Sequence, residues 1–343
     1  MINALTSFRF IFALMIFLHH FTIGNSVLFP EGFLGVSFFF ILSGFVLTYT
    51  YKDKIINKSI SSRSFMIRRI SKIYPLHLLL LAFAFLMYFG NYSISQTLSN
   101  LFLIQSWIPL KSYYFSLNAV SWCLSNEVFF YLMFPFLILM CYRISNKWVL
   151  TSSVFIILFY LLLIQIVPAE YDHFLFYIFP ISRLLDFMLG ILLCDLFLYI
   201  KRKRIVNYNK LNANLFELSS LLLLVIFILI SSFIPKVYRY AIYYWVPMSV
   251  LILTFAYFNE SKGLLSKILS SRFLVLLGEA SFCFYMIHQL SINIMKAILC
   301  KLEIQMEWQY SFIIILSCVI AASIICYVYF EKPVNKYIRL KNK

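Results

Sequence analysis

Arg9 and His20 stand eleven residues apart in an otherwise apolar opening segment. On a helix turning about 100° per residue, that spacing returns to nearly the same face, with the two side chains about 16 Å apart along the axis. One face thus carries a guanidinium near one membrane surface and an imidazole near the other. A neutral imidazole beside a hydroxyl can take its proton, which makes His20 a candidate general base. His19 falls about 80° off that face, so the adjacent pair is not equivalent. Glu127, Arg183, Asp186, Glu279 and His288 also sit within apolar runs. A charge at the centre of a bilayer costs about 3 kcal/mol or more, so each needs a partner or a wet cavity. Arg183 and Asp186 are one turn apart and can pair within a helix, Glu127 and Tyr131 share a face, and so do Tyr285 and His288.

The elements that must hold these groups are membrane helices. The 343 residues are 63% hydrophobic and 12% charged, unlike any ordinary soluble domain. Apolar runs predict about ten spans, near 5–23, 33–51, 73–90, 120–141, 149–168, 174–199, 215–234, 241–258, 273–299 and 309–330. The chain carries 29 basic against 13 acidic residues, a formal charge of +16. Alternate loops and the tail hold 22 of those cations and the opposite loops five. Lysine and arginine collect on the cytoplasmic side, so both termini are expected there. The charge is therefore topological, and nucleic acid is not an expected partner. The first segment, with Arg9, His19 and His20 and no small-residue cleavage site, is expected to stay as a helix. The stretch 97–110 is too short to span and is expected to lie at the external interface. Seven cysteines form no C-x-x-C pair, and neither a disulfide framework nor a metal site is expected. The fold class is an all-α integral membrane protein, with residues 1–343 as one domain and no additional soluble domain.

Seven segments in order then carry a resemblance. The opening helix resembles the first helix of the acyltransferase-3 family of membrane O-acyltransferases, whose signature is Arg or Lys and then His after ten intervening residues, met here by Arg9 and His20. G-F-L-G-V-S-F-F-F-I-L-S-G-F (32–45), R-R-I-S-K-I-Y-P (68–75) and S-W-C-L-S-N-E-V-F-F-Y (121–131) resemble the family's following motifs. S-R-L-L-D-F-M-L-G (182–190), L-G-E-A-S-F-C-F-Y-M-I-H (277–288) and F-E-K-P (330–333) come next, in the expected order. Lys72 replaces an arginine of the basic motif, Cys123 a serine, and Phe282 a tyrosine.

The resemblance implies transfer of an acyl group, most often acetyl from acetyl-CoA, to a hydroxyl of a surface glycan such as an O-antigen or capsule unit, or of a lipid-linked precursor. Acetyl-CoA is then donor substrate, with no permanently bound cofactor, in a multi-pass protein of a bacterial inner membrane. Arg63, Arg68, Arg69 and Lys72 are expected to hold the donor's phosphates on the cytosolic side, because guanidinium and ammonium groups suit phosphate. His20, Arg9 and Glu127 are the expected catalytic residues, Glu127 orienting the imidazole or forming a structural pair with Arg183 or Arg9. Ser43, Tyr131, Arg183, Tyr285 and His288 are candidate pore or acceptor contacts. Ser43 with Gly44 reads more readily as a small-residue packing seam, as do Gly190 and Gly278. The alternative is a transporter or flippase for a lipid-linked saccharide, which also uses intramembrane charges but needs no thioester chemistry.

Overall fold

A computed structural model describes residues 2–341 apart from 25, 145, 204–209, 259–262 and 305. Arg204, Lys262 and Lys343, counted above among the inside-loop cations, lie outside the described residues. Sixteen helices follow one another. The first half has α1 (Asn3–His20), α2 (Leu34–Ile56), α3 (Ser62–Met87), α4 (Ile94–Leu101), α5 (Lys111–Tyr114), α6 (Trp122–Arg143), α7 (Asn146–Ile166) and α8 (Pro180–Lys203). The second has α9 (Lys210–Ile230), α10 (Lys236–Arg239), α11 (Ile242–Tyr257), α12 (Leu264–Leu269), α13 (Arg272–Glu279), α14 (Ser281–Lys301), α15 (Trp308–Cys326) and α16 (Lys332–Lys341). A two-stranded hairpin, Thr22–Ile23 with Ser26–Val27, follows α1.

Among the described residues seven helical stretches are long and apolar enough to cross a bilayer, and an eighth arises if Thr151–Ile166 and Ala169–Ile178, bent by 119°, form one span. Helices α1 and α8 form where spans are expected but are not among those seven; α1 carries Arg9, His19 and His20, and α8 carries Arg183, Asp186 and Asp195. Their charges are sheltered by neighbours instead of being exposed to lipid.

Several boundaries differ from the sequence reading. The basic stretch before residue 73 is helical: Ser61 caps α3 by accepting from the Ser64 amide, and the helix runs through Pro75. The expected 273–299 span is broken at Ala280, and 174–199 at Phe179, where a π-helical turn over His173–Ile178 meets Pro180 at the start of α8. The stretch 97–110 has two faces: Leu98, Phe102, Ile104 and Leu110 are exposed, as an interfacial segment requires, while Asn100, Gln105 and Ser106 are fully buried. Asn100 donates to Ser116 Oγ at 2.6 Å, and Ser106 bonds Ser125 and Asn126 on α6 at 2.6 and 2.9 Å. Buried polar atoms need such partners, which ties this cap to the bundle.

Helices α2 and α8 cross at backbone contact. A Cβ on Gly190 would lie 2.0 Å from the Ile41 carbonyl oxygen, and one on Gly44 would lie 2.1 Å from that of Phe187. The expected seam is therefore Gly44 with Gly190, while Ser43, about 100° further round α2, faces elsewhere. Beside the seam lies a charged lock. Arg183 and Asp186, both fully buried, pair at 2.7 Å; Trp245 donates to Asp186 at 2.5 Å. Arg183 also donates to the Tyr240 carbonyl at 2.6 Å and to Ser37 at 2.9 Å, fixing α2, α8 and the approach to α11 together.

Candidate active site

Helices α1, α2, α3, α6 and α14 enclose a polar cavity of about 100 Å³. Arg9, Ser43, Arg69, Lys72, Glu127 and Tyr131 line it. A second cavity of about 60 Å³ shares Arg9, Phe39, Glu127 and Phe282 with the first and extends to Cys123, Ser281 and Tyr285. The two cavities adjoin at those four residues, and neither is lined by His20 or His288. Three cations and one carboxylate thus converge from three helices, α1, α3 and α6, onto one space, where each has charged neighbours.

Local structure explains each placement. Because residues 62–87 are helical, Arg69 and Lys72 lie one turn apart on the face toward the cavity. Arg69 donates to the Tyr51 hydroxyl at 2.8 Å and stacks on its ring at 4.9 Å, which holds the guanidinium in place without neutralising it. Arg63 is exposed in the first turn of α3, and Arg68 reaches Ser64 at 3.4 Å; neither lines the cavity. The four expected phosphate-binding residues therefore divide into a cavity pair, Arg69 and Lys72, and an outer pair, Arg63 and Arg68.

Glu127 accepts a hydrogen bond from Tyr131 at 2.6 Å, one turn along α6. Among the described contacts it reaches neither the His20 ring nor, as an ion pair, Arg9 or Arg183. Its expected orienting role at His20 does not match this geometry, because α6 delivers the carboxylate to the level of Arg9. Arg183 faces the α2–α8 lock and lines neither cavity. A pore contact is thereby corrected: hydrogen bonds to the Tyr240 carbonyl and Ser37 and the ion pair with Asp186 already engage its guanidinium.

His20 instead meets His288. The His20 Nδ1 lies 2.9 Å from the Ile16 carbonyl and 3.1 Å from His288 Nε2. The His288 Nδ1 lies 2.6 Å from the Tyr285 carbonyl. Carbonyls only accept, so each Nδ1 carries the hydrogen. The one hydrogen on His20 Nδ1 is then shared between the Ile16 carbonyl and the His288 Nε2 lone pair, and His20 Nε2 is left unprotonated. Two main-chain carbonyls thus select the His20 tautomer whose basic nitrogen is Nε2. Gly32 permits this arrangement: a Cβ there would lie 2.0 Å from the Met15 carbonyl and 2.8 Å from His19 Cβ, so a side chain would push α1 away below the histidines.

Tyr285, one turn before His288, lines the inner cavity and donates to the Val120 carbonyl at 2.9 Å, with Cys123 Sγ also 2.9 Å from its hydroxyl. At the opposite end, Tyr327 donates to Glu279 at 2.9 Å and Cys283 to Glu331 at 3.1 Å, fastening the F-E-K-P segment to α13 and α14. Sequence reasoning marked His20 and His288 separately and missed their contact, which spans 268 positions. It also missed Tyr51, which carried no signal beyond its place at the end of an apolar helix.

The family model for the acyltransferase domain matches residues 2–329. The chain is 30% identical over 282 residues to acyltransferase MdmB of Streptomyces mycarofaciens, covering 75% of this chain and 67% of that protein. It is 30% identical over 139 residues to an uncharacterized protein of Haemophilus influenzae, covering 36% of this chain and 57% of that one. No solved structure matches the chain.

Proposed function

The chain belongs to the family defined by that acyltransferase domain, and from that premise we propose that it transfers acetyl from cytosolic acetyl-CoA to a hydroxyl of a surface polysaccharide, an O-antigen or capsule unit. It does so within a bacterial inner membrane, as a bundle of ten helices with both termini cytoplasmic. One observation carries the reading: of two adjoining cavities, one has the cations Arg69 and Lys72 in its wall, the other is bounded by Tyr285, and Arg9 lines both; Tyr285 lies on the helix whose His288 meets His20, and neither histidine lines either cavity.

Arg69 and Lys72 hold the donor's phosphates, with Arg63 and Arg68 at the entrance, and the flexible thioester arm follows the cavity past Arg9. His20 Nε2 takes the acceptor hydroxyl's proton as that oxygen attacks the thioester carbon. The tetrahedral adduct collapses, the C–S bond breaks, and the leaving thiolate takes the proton back. His288 acts as a positioning residue that keeps His20 in the required tautomer, as a second group does in other base-assisted acyl transfers. Glu127 and Tyr131 balance the charge of Arg9 and the donor-binding pair, and Ser43 supplies a polar wall.

Surface glycans from cells carrying the intact gene, a deletion, and His20→Ala at equal expression test this by NMR and mass spectrometry. Loss of one O-acyl ester in both altered strains is expected. Unchanged acylation in the deletion, with a lipid-linked saccharide accumulating inside, would overturn the reading in favour of transport.

A further inference from the structure

The inner cavity sets a limit on what can be transferred. It measures about 60 Å³, and a water-sized occupant needs about 10–15 Å³ of such space. That leaves room for a thioester sulfur, a carbonyl and one or two further carbons. Its walls are the apolar side chains of Val36, Phe39, Phe40, Leu124 and Phe282, with polar atoms only from Arg9, Glu127, Cys123, Ser281 and Tyr285. Tyr285, held to the Val120 carbonyl, forms the end wall of the cavity, so a longer chain would have to displace it. Phe40 packs edge-on against Phe130 at 5.0 Å and Phe39 against Tyr285 at 6.2 Å, so neither ring can swing aside freely.

We propose that this cavity is the acyl-group pocket and that Phe282, Leu124 and Cys123 select short donors, acetyl or propionyl, against longer ones. The inference rests on the transferase reading above and adds the determinant of acyl length. Two of the three residues are where this chain departs from the family's pattern. Phe282 offers no hydroxyl to the pocket, and the Cys123 sulfur is less polar than a serine oxygen, so the walls are more apolar.

The test uses membranes of the expressing strain, which contain its own glycan acceptors, supplied with radiolabelled acetyl-, propionyl- or hexanoyl-CoA. Label in the glycan fraction is measured for each donor. For the intact protein, propionyl transfer is expected within about tenfold of acetyl, and hexanoyl transfer is expected to be about a hundredfold slower or worse, because one misfitting methylene is worth about 10–200-fold. Phe282→Ala and Leu124→Ala are each expected to raise the hexanoyl-to-acetyl ratio by about tenfold or more. Cys123→Leu should lower the propionyl-to-acetyl ratio, while near-isosteric Cys123→Ser should leave it within a few fold. If Phe282→Ala does not accumulate, Leu124→Ala carries the same test. A hexanoyl rate equal to acetyl in the intact protein, or ratios unmoved in the enlarged variants that still label glycan, would overturn the pocket assignment. Absence of label from every donor in the intact protein would instead overturn the acyl-CoA reading itself.

Discussion

Replacing Gly190 by alanine tests whether the α2–α8 crossing is as close as described. The added methyl would sit 2.0 Å from the Ile41 carbonyl oxygen and 2.8 Å from the Phe45 amide nitrogen. An ordinary contact begins at 3.4 Å, so the helices must part locally by about 1.4 Å. Both obstacles are backbone, so no rotamer change relieves the clash. A gap of about 0.5–1 Å already forfeits a quarter to a half of the attraction between the atoms facing it. Overpacking of this kind costs about 1–3 kcal/mol, and rigid backbone on both sides places this case near about 3 kcal/mol. At about 2–4 °C per kcal/mol, the apparent melting temperature in detergent should fall by about 6–12 °C. Fluorescence-detected size-exclusion chromatography after graded heating reads that shift, and Gly44→Ala should match it, since its methyl meets the Phe187 carbonyl oxygen at 2.1 Å. Activity should fall as well, because Phe39 and Ser43 on α2 line the cavity. A shift under about 2 °C for both variants would refute the close crossing and the position of the cavity wall that depends on it.

His20→Ala is expected to lower glycan acylation by about 10²–10⁴-fold, the usual worth of a general base. His288→Phe keeps an aromatic ring in place but removes the acceptor for His20 Nδ1–H; losing a hydrogen bond worth about 0.5–1.5 kcal/mol predicts a drop in kcat of about 2–12-fold, and a loss as large as that of His20→Ala would refute the positioning role. Arg69→Ala and Lys72→Ala should each raise the KM for acetyl-CoA about tenfold or more with little change in kcat, as charge-assisted bonds to phosphate are lost; Arg69→Lys should recover little, because the ammonium lacks the planar fork that stacks on Tyr51. Arg183→Met strands a fully buried Asp186 and should cost about 3–5 kcal/mol, read as lost thermal stability. The double variant Arg183→Met/Asp186→Leu should restore much of it, and equal instability of single and double variants would show that the pair is not what holds the helices.

Much of the scaffold was legible along the chain because membrane helices are written in runs of apolar residues and their exceptions. Gly44 and Gly190 announced a close seam, Arg183 and Asp186 a pair one turn apart, and Tyr131 a partner for Glu127, all local relations set by the helical repeat. Arg9 and His20 were likewise marked by a spacing internal to one helix. Local signals misled where packing overrode composition. The basic stretch before Tyr74 read as a loop because charges usually leave the bilayer, yet as helix it presents Arg69 and Lys72 to a cavity that solvates them. The stretch 97–110 read as an interfacial segment, and Leu98, Phe102, Ile104 and Leu110 are exposed as that requires, but the inward turn of Asn100, Gln105 and Ser106 was not legible. The partner of His20 could not be read at all. That contact joins residues on the first helix and the fourteenth, and it depends on how α1 crosses α14 below Gly32. Likewise, the level at which α6 enters the bundle decides that Glu127 faces Arg9 and not the imidazole. Sequence periodicity fixes which residues share a helical face; only the crossing of helices distant in the chain decides which faces meet and what chemistry they enclose.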